Sequence, residues 1–242
     1  MISDGDSSAY NTLAAMNDNR GPYDDNSFKK EECINHASKR LGTRLRKLKK
    51  DASTLSYTKS GKIRKKSMLG GKGKLTDCVI DNLQRYYSKA LRESIGKGVK
   101  YMRNTIMASF YHHSSSDQSP NHKFCPKGKS SWCFFNRAKA RREDSPLHST
   151  KSLFLNKLTD ESLALIKNVY KDLSATELLQ RCQMGWTQNM NESLHSNLWT
   201  ICPKNKFCRY YRVKFAAQMT ILNHNLGYKK SNLMTKIFGY IS

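Results

Sequence analysis

Acidic residues are scarce in this sequence. The 242-residue chain holds 19 Asp and Glu against 43 Lys and Arg, a formal net charge of +24. Beyond Leu178 the one acid is Glu192, and eight Lys and Arg follow it. So lopsided a balance disfavours a basic partner and favours a polyanion, of which nucleic acid is the commonest. The plain alternative is a solvated surface or a ribosome-like scaffold. Binding that neutralised Z phosphates would make log K fall with log salt at a slope of about −0.9Z. Long hydrophobic runs are also missing. No stretch approaches the ~20 apolar residues of a membrane-spanning helix. The opening MISDGDSSAY is polar and acidic, so no secretory leader is expected. Hydrophobic residues make up 38%, low yet compatible with one sizeable domain or two small ones. No internal repeat is visible.

What is present reads mostly as helix. Residues 1–20 suggest a strand end, a turn at Asp4-Gly5-Asp6, and a short helix with Tyr10, Leu13 and Met16 on one face. Residues 28–36 suggest a short strand. Residues 37–50, ASKRLGTRLRKLKK, carry seven basic residues and no acid, with leucines at 41, 45 and 48. That spacing predicts a cationic amphipathic helix. Residues 51–75 read as a basic Ser/Gly/Lys linker, and 59–74 within it resembles a nuclear-import signal. From Leu75 the apolar residues recur every three or four positions, with Thr76 as an N-cap. A second helix follows Gly98, with Val99, Met102, Ile106 and Phe110 inward. Residues 137–151 read as a polar linker. One helix is expected from Thr159 and another from a capping box at Ser174 and Glu177. A helix carrying Glu192 should stop before Pro203. The last helix should place Tyr211, Phe215, Met219 and Leu222 on one stripe and end near Gly227.

Seven cysteines, an odd number, in a basic chain without a leader suggest metal or free thiols before disulfides. The main cluster is His112-x9-His122-x2-Cys125-x7-Cys133, with His113 as an alternative to His112. Four N/S ligands around a loop with Pro120, Pro126 and Gly128 suit a closed, structural tetrahedral zinc, and Trp132 could cover one side. Such an ion would contribute on the order of 10 kcal/mol to folding the segment. Buried thiols and surface histidines are the alternative. Cys33-x2-His36 supplies half a zinc site at most and reads more readily as a buried thiol and a satisfied histidine. Asp4, Asp6 and distant Glu192 are the candidate acids for paired Mg²⁺, which phosphoryl-transfer enzymes hold about 3.5–4 Å apart. Residue physics alone favours a plain turn at Asp4 and Asp6, and a Glu192 that complements a helix N-terminus. The candidate DNA contacts are Lys39, Arg40, Arg44, Arg46, Lys47, Lys49 and Lys50, followed by Lys62, Arg64, Lys65 and Lys66.

The ordered set ISDGDSSAY, ECINHASKR, LQRYYSKALR, FYHH…PNHKFCPKGKSSWC, TQNMNESLHSNLW and CPK resembles the animal Mutator-like transposases, over nearly the whole chain. The resemblance implies a DDE enzyme with an RNase H-like core that cuts and joins DNA strands with bound metal. It implies that Glu192 matches the third acid, that Asp4 (Asp6 less well) matches the second, and that Cys33 and His36 match a CxxH following it. Two departures stand out: the first aspartate belongs upstream of this sequence, and Trp186 stands where a lysine is expected. The expected fold is therefore mainly α. Residues 1–50 should be a remnant of an RNase H-like core lacking most of its sheet, and 51–75 a linker. Residues 76–184 should be a helical insertion with the zinc knuckle at 112–134, and 185–242 C-terminal core helices. The expected function is that of an N-terminally truncated, inactive transposase fragment. Its cofactors would be structural Zn²⁺ and, ancestrally, Mg²⁺; its partners DNA and other transposase subunits, with no membrane; and its location the nucleus. The alternative is a non-catalytic, zinc-stabilised DNA-binding or interaction module.

Overall fold

The computed structural model describes residues 2–3, 7–24, 28–57, 62–151 and 153–227, with side chains described outside residues 2–3, 7, 54–57 and 63–66. The chain divides into two compact units, Met1–Trp186 and Thr187–Ser242. Among the described residues the fold is mainly helical, and the only strands form two short pairs.

In the first unit, β1 (Ile2–Ser3) leads into helix α1 (Ser7–Ala14). The helix expected to carry Met16 onto one face with Tyr10 and Leu13 ends before it. α2 (Met16–Asn19) is a single turn in which Asn17 and Asp18 take left-handed backbone angles, a conformation Asn and Asp tolerate better than most residues. The strand expected over 28–36 shrinks to β2 (Glu31–Glu32), which pairs with β1 in parallel.

The basic stretch forms α3 (Ile34–Asp51), three residues longer at its start than its leucine spacing indicates. Its apolar face carries Ile34, Leu41 and Leu45 into the core. Residues 51–75, expected as a linker, instead hold an antiparallel hairpin, β3 (Ser53–Tyr57) with β4 (Ile63–Ser67). Beyond it, Leu69 and Leu75 are wholly buried in the core. Two leucines amid Gly, Ser and Lys give too little periodicity to mark them as core. Burying each still contributes roughly 1.5–3 kcal/mol.

α4 (Asp77–Glu93) starts where Thr76 caps it, the hydroxyl accepting from the Val79 N–H at 3.3 Å. α5 (Val99–Ser114) packs on α4, and α7 (Asp160–Leu173) packs against both α3 and α5. Leu41, Leu45, Ile80, Leu83, Tyr87, Met102, Ile106 and Tyr170 are wholly buried where these helices meet. Buried Tyr87 still satisfies its hydroxyl, which donates to the Leu173 carbonyl at 2.7 Å. The basic helix and the helices after the hairpin thus share one hydrophobic core.

Helix α6 (Phe134–Arg141) runs into the polar linker expected over 137–151, which also holds a 3-10 turn (His148–Thr150). α8 (Thr176–Cys182) follows α7, but Ser174 and Glu177 make no capping box. Ser174 ends α7, its N–H and hydroxyl both donating to the Lys171 carbonyl, while Ala175 occupies the N-cap of α8.

The second unit pairs α9 (Asn189–Ile201) with α10 (Tyr210–Leu226). α9 buries no residue, and α10 buries Ala216 and Thr220 in place of the expected stripe, whose Tyr211 is 81% exposed. Small residues form the buried face here. No described helix is long and apolar enough to cross a membrane.

Candidate metal centre

The cluster begins at the C-terminal end of α5. Residues 112 and 113 fall in its last turn and therefore point in different directions. His112 faces the cluster. His113 instead stacks between Tyr86 (5.1 Å) and Phe154 (4.6 Å), so it is no substitute ligand. Burial drops the His113 pKa to about 3, which keeps the ring neutral.

After α5 the chain turns back. Ser115 fastens the turn, its hydroxyl accepting from the Asn121 N–H at 3.0 Å. His122 and Cys125 follow, and then a loop in which Gly128 adopts φ +110°, a backbone conformation that favours glycine. Cys133 closes the set as the N-cap of α6, its sulfur accepting from the Asn136 N–H at 3.5 Å. The Asn136 side chain donates back across the loop to the carbonyls of His122, Cys125 and Pro126, at 3.2–3.4 Å. Sequence reasoning misses this clamp, since one asparagine in a short helix carries no signal.

The four donors come together. One donor atom from each of His112, His122, Cys125 and Cys133 lies within 4.8 Å of all the others, and all four residues are buried. Cys125 Sγ is 3.8 Å from each imidazole Nδ1, and Cys133 Sγ is 3.4 Å from His122 Nδ1. A tetrahedral zinc with bonds of ~2.3 Å to sulfur and ~2.05 Å to nitrogen sets its ligand atoms about 3.5 Å apart. The donor set and its spacing therefore fit zinc. With four protein donors, a zinc held here would have no open position for a reactive water, the arrangement of structural zinc sites.

The electrostatics suit a cation. Cys133 is held well below the usual thiol range by a hydrogen bond from Cys125, and by contacts with His112, His122 and the Asn136 N–H. Cys125 is pushed up by the same hydrogen bond, by burial and by the neighbouring charge. Metal binding takes both sulfurs as thiolates, so an ion would displace any thiol proton the pair holds. Aromatic rings wall the site. Phe135 stacks on His122 at 4.6 Å, and half-exposed Trp132 lies edge-on to His112 at 5.0 Å.

A further histidine, absent from the ligand motif, reaches this cluster. His148, buried in its 3-10 turn, places Nε2 2.8 Å from His122 Nε2. Its Nδ1 is 3.0 Å from Asp117 Oδ1. The same carboxylate accepts the backbone N–H of His148 (2.5 Å) and of Ser149 (3.3 Å). Those hydrogen bonds, the His148 N–H first, hold Asp117 below the ordinary carboxylate range.

The remaining sequence candidates are distributed differently. Cys33 is buried at the N-cap of α3 and His36 lies one turn on, but no third ligand joins them in a metal-sized group among the described residues. Asp4 and Asp6 lie outside the described residues. Glu192 is exposed in the first turn of α9. Several proposed DNA contacts are engaged within the protein. Arg40 pairs with Glu32 at 2.8 Å, Arg44 with Asp172 at 3.4 Å, Lys49 with Asp77 at 3.2 Å, and Arg46 with Asp81. Nothing in the sequence singles out Glu32. It is 2% exposed and also meets Arg181 at 3.6 Å. Lys39, Lys47 and Lys50 are exposed and enter no salt bridge among the described residues, and Lys62 is exposed. Arg64, Lys65 and Lys66 fall on β4, with side chains outside those described.

No curated protein and no solved structure matches this chain. A family model does: that of the Mutator-like transposases covers residues 1–133, ending on the last of the four ligands. With more than half of its 242 residues matched in this way, the chain belongs to the Mutator-like transposase family.

Proposed function

We propose that this chain is a DNA-binding part of a transposase, its helical body fastened by one structural zinc. The observation that carries the reading is the buried convergence of His112, His122, Cys125 and Cys133. Charge supplies the affinity: a +24 chain with Lys39, Lys47, Lys50 and Lys62 exposed attracts phosphates without needing base contacts. The test combines elemental analysis with DNA binding across a salt series. One zinc per chain and a steep salt slope are expected. A metal-free protein, or a flat salt response, overturns the reading.

Family membership favours a second, catalytic reading. In it Asp4 and Glu192, with Asp6 as the lesser choice, hold Mg²⁺ on an RNase H-like core, and the ions promote strand cleavage and transfer. Mg²⁺-dependent nicking of supercoiled DNA that disappears in Glu192→Gln would establish the catalytic reading instead. In either reading the chain works in the nucleus, beside other transposase subunits, and residues 59–74 direct import. A fluorescent fusion that stays cytoplasmic would contradict that assignment.

A further inference from the structure

We propose that Asp117 and His148 are positioning residues of the metal centre, a carboxylate–imidazole pair that fixes His122 as a ligand through Nδ1. This inference rests on the zinc reading above and adds two residues that lie outside the ligand set.

Proton count decides the tautomers. A neutral imidazole carries one N–H, and the nitrogen that binds metal must offer its lone pair. His122 directs Nδ1 at the cluster, 3.4 Å from Cys133 Sγ and 3.8 Å from Cys125 Sγ. When Nδ1 holds metal, the proton of neutral His122 sits on Nε2. That N–H faces His148 Nε2 at 2.8 Å, which must then accept. His148 consequently carries its own proton on Nδ1, facing Asp117 Oδ1 at 3.0 Å. Each step fixes the next, and all three groups are satisfied by one assignment of protons. The reverse assignment puts a proton on His122 Nδ1 and abolishes ligation.

The pair is also held rigidly. His148 is 4% exposed, with Phe134 and Phe135 rings 5.4 and 5.8 Å away. Asp117 is anchored by the backbone N–H groups of residues 148 and 149 as well as by the imidazole. One carboxylate therefore caps the 3-10 turn and orients the ring within it. Outer-shell partners of this kind orient ligating histidines and raise their basicity, and their loss weakens metal binding about 10–100-fold. The chain from 142 to 151, with no place in the ligand motif, is thereby tied to the metal.

The test uses the full chain. Zinc affinity is measured by competition with a chelator for the wild type, His148→Phe and Asp117→Asn, alongside the melting temperature of each metal-free form. His148→Phe keeps a ring in place but removes the acceptor, and should lose about 10–100-fold in zinc affinity. Asp117→Asn keeps an oxygen but not its charge, and should lose less. A purely structural role would lower the metal-free melting temperature and leave the affinity of the folded protein alone. Nitrogen-15 NMR of the zinc-loaded wild type reads the tautomers directly and needs no variant. The expected pattern is a protonated Nε2 on His122 and a protonated Nδ1 on His148. Affinities within twofold of wild type in both variants, or a proton on His148 Nε2, overturn the proposal while leaving the zinc reading intact. A wild type that binds no zinc overturns both.

Discussion

The loop between α5 and α6 and the basic helix α3 both advertise function in the sequence, one by His and Cys spacing and the other by charge. Their side chains behave in opposite ways. The four ligands, spread over 22 positions, converge within 4.8 Å. The seven cations of α3 disperse: four pair with acids on other parts of the first unit, and three remain free of salt bridges among the described residues. A ligand set has one geometry that serves it, so type and spacing together carry information. A cation is served by any nearby acid, and composition alone does not say which cations are already neutralised.

The largest effect should come from breaking the convergent region. Cys133→Ser is expected to abolish zinc retention and to destabilise the first unit by several kcal/mol, given that structural zinc contributes on the order of 10 kcal/mol. Elemental analysis and thermal melting together check it, and a folded, zinc-replete variant would contradict it. Next comes the buried end of the dispersed region. Arg40→Ala leaves Glu32, 2% exposed, with Arg181 alone at 3.6 Å. A cost of about 2 kcal/mol is expected in a denaturant titration, below the full loss for a buried pair because one partner remains. DNA binding sharpens the contrast further. Replacing Lys39, Lys47 and Lys50 together by Gln should flatten the salt slope by about 2.7, at about 0.9 for each phosphate no longer neutralised. The same substitution at Arg44 and Arg46, already paired with acids, should flatten it less. The smallest effect is expected at the exposed Arg46–Asp81 pair, where Arg46→Ala should change stability by no more than about 0.5 kcal/mol. Thiol chemistry offers an independent check. Burial pushes Cys182 up to about 12, so at pH 8 exposed Cys78 should alkylate and Cys182 should not, while added zinc should protect Cys125 and Cys133.

Where the sequence is legible, and where it is not, differs residue by residue. Thr76 and Thr159 are legible as caps, or as the start of a helix, because a cap is decided within four residues. Ser174 has the same local chemistry, yet it closes the preceding helix. α7 extends far enough for the Lys171 carbonyl to capture it. Leu69 and Leu75 sit in a stretch with the composition of a linker, and only their burial in the shared core makes them part of it. The short helix α6, FFNRAKAR, lacks an apolar period long enough to distinguish it from a basic loop.

The sequence by itself determined the helices with long apolar periods, the excess of positive charge, and the four side chains able to ligate zinc. These depend on short-range spacing and on residue chemistry, which are written in the order of the chain. Only the tertiary structure decided that His148 meets His122 across 26 positions, that Asp117 meets His148 across 31, and that Arg40 and Arg181 share Glu32. Such meetings depend on how helices pack once their apolar faces are buried. Packing brings distant residues together without leaving a periodic trace in the sequence.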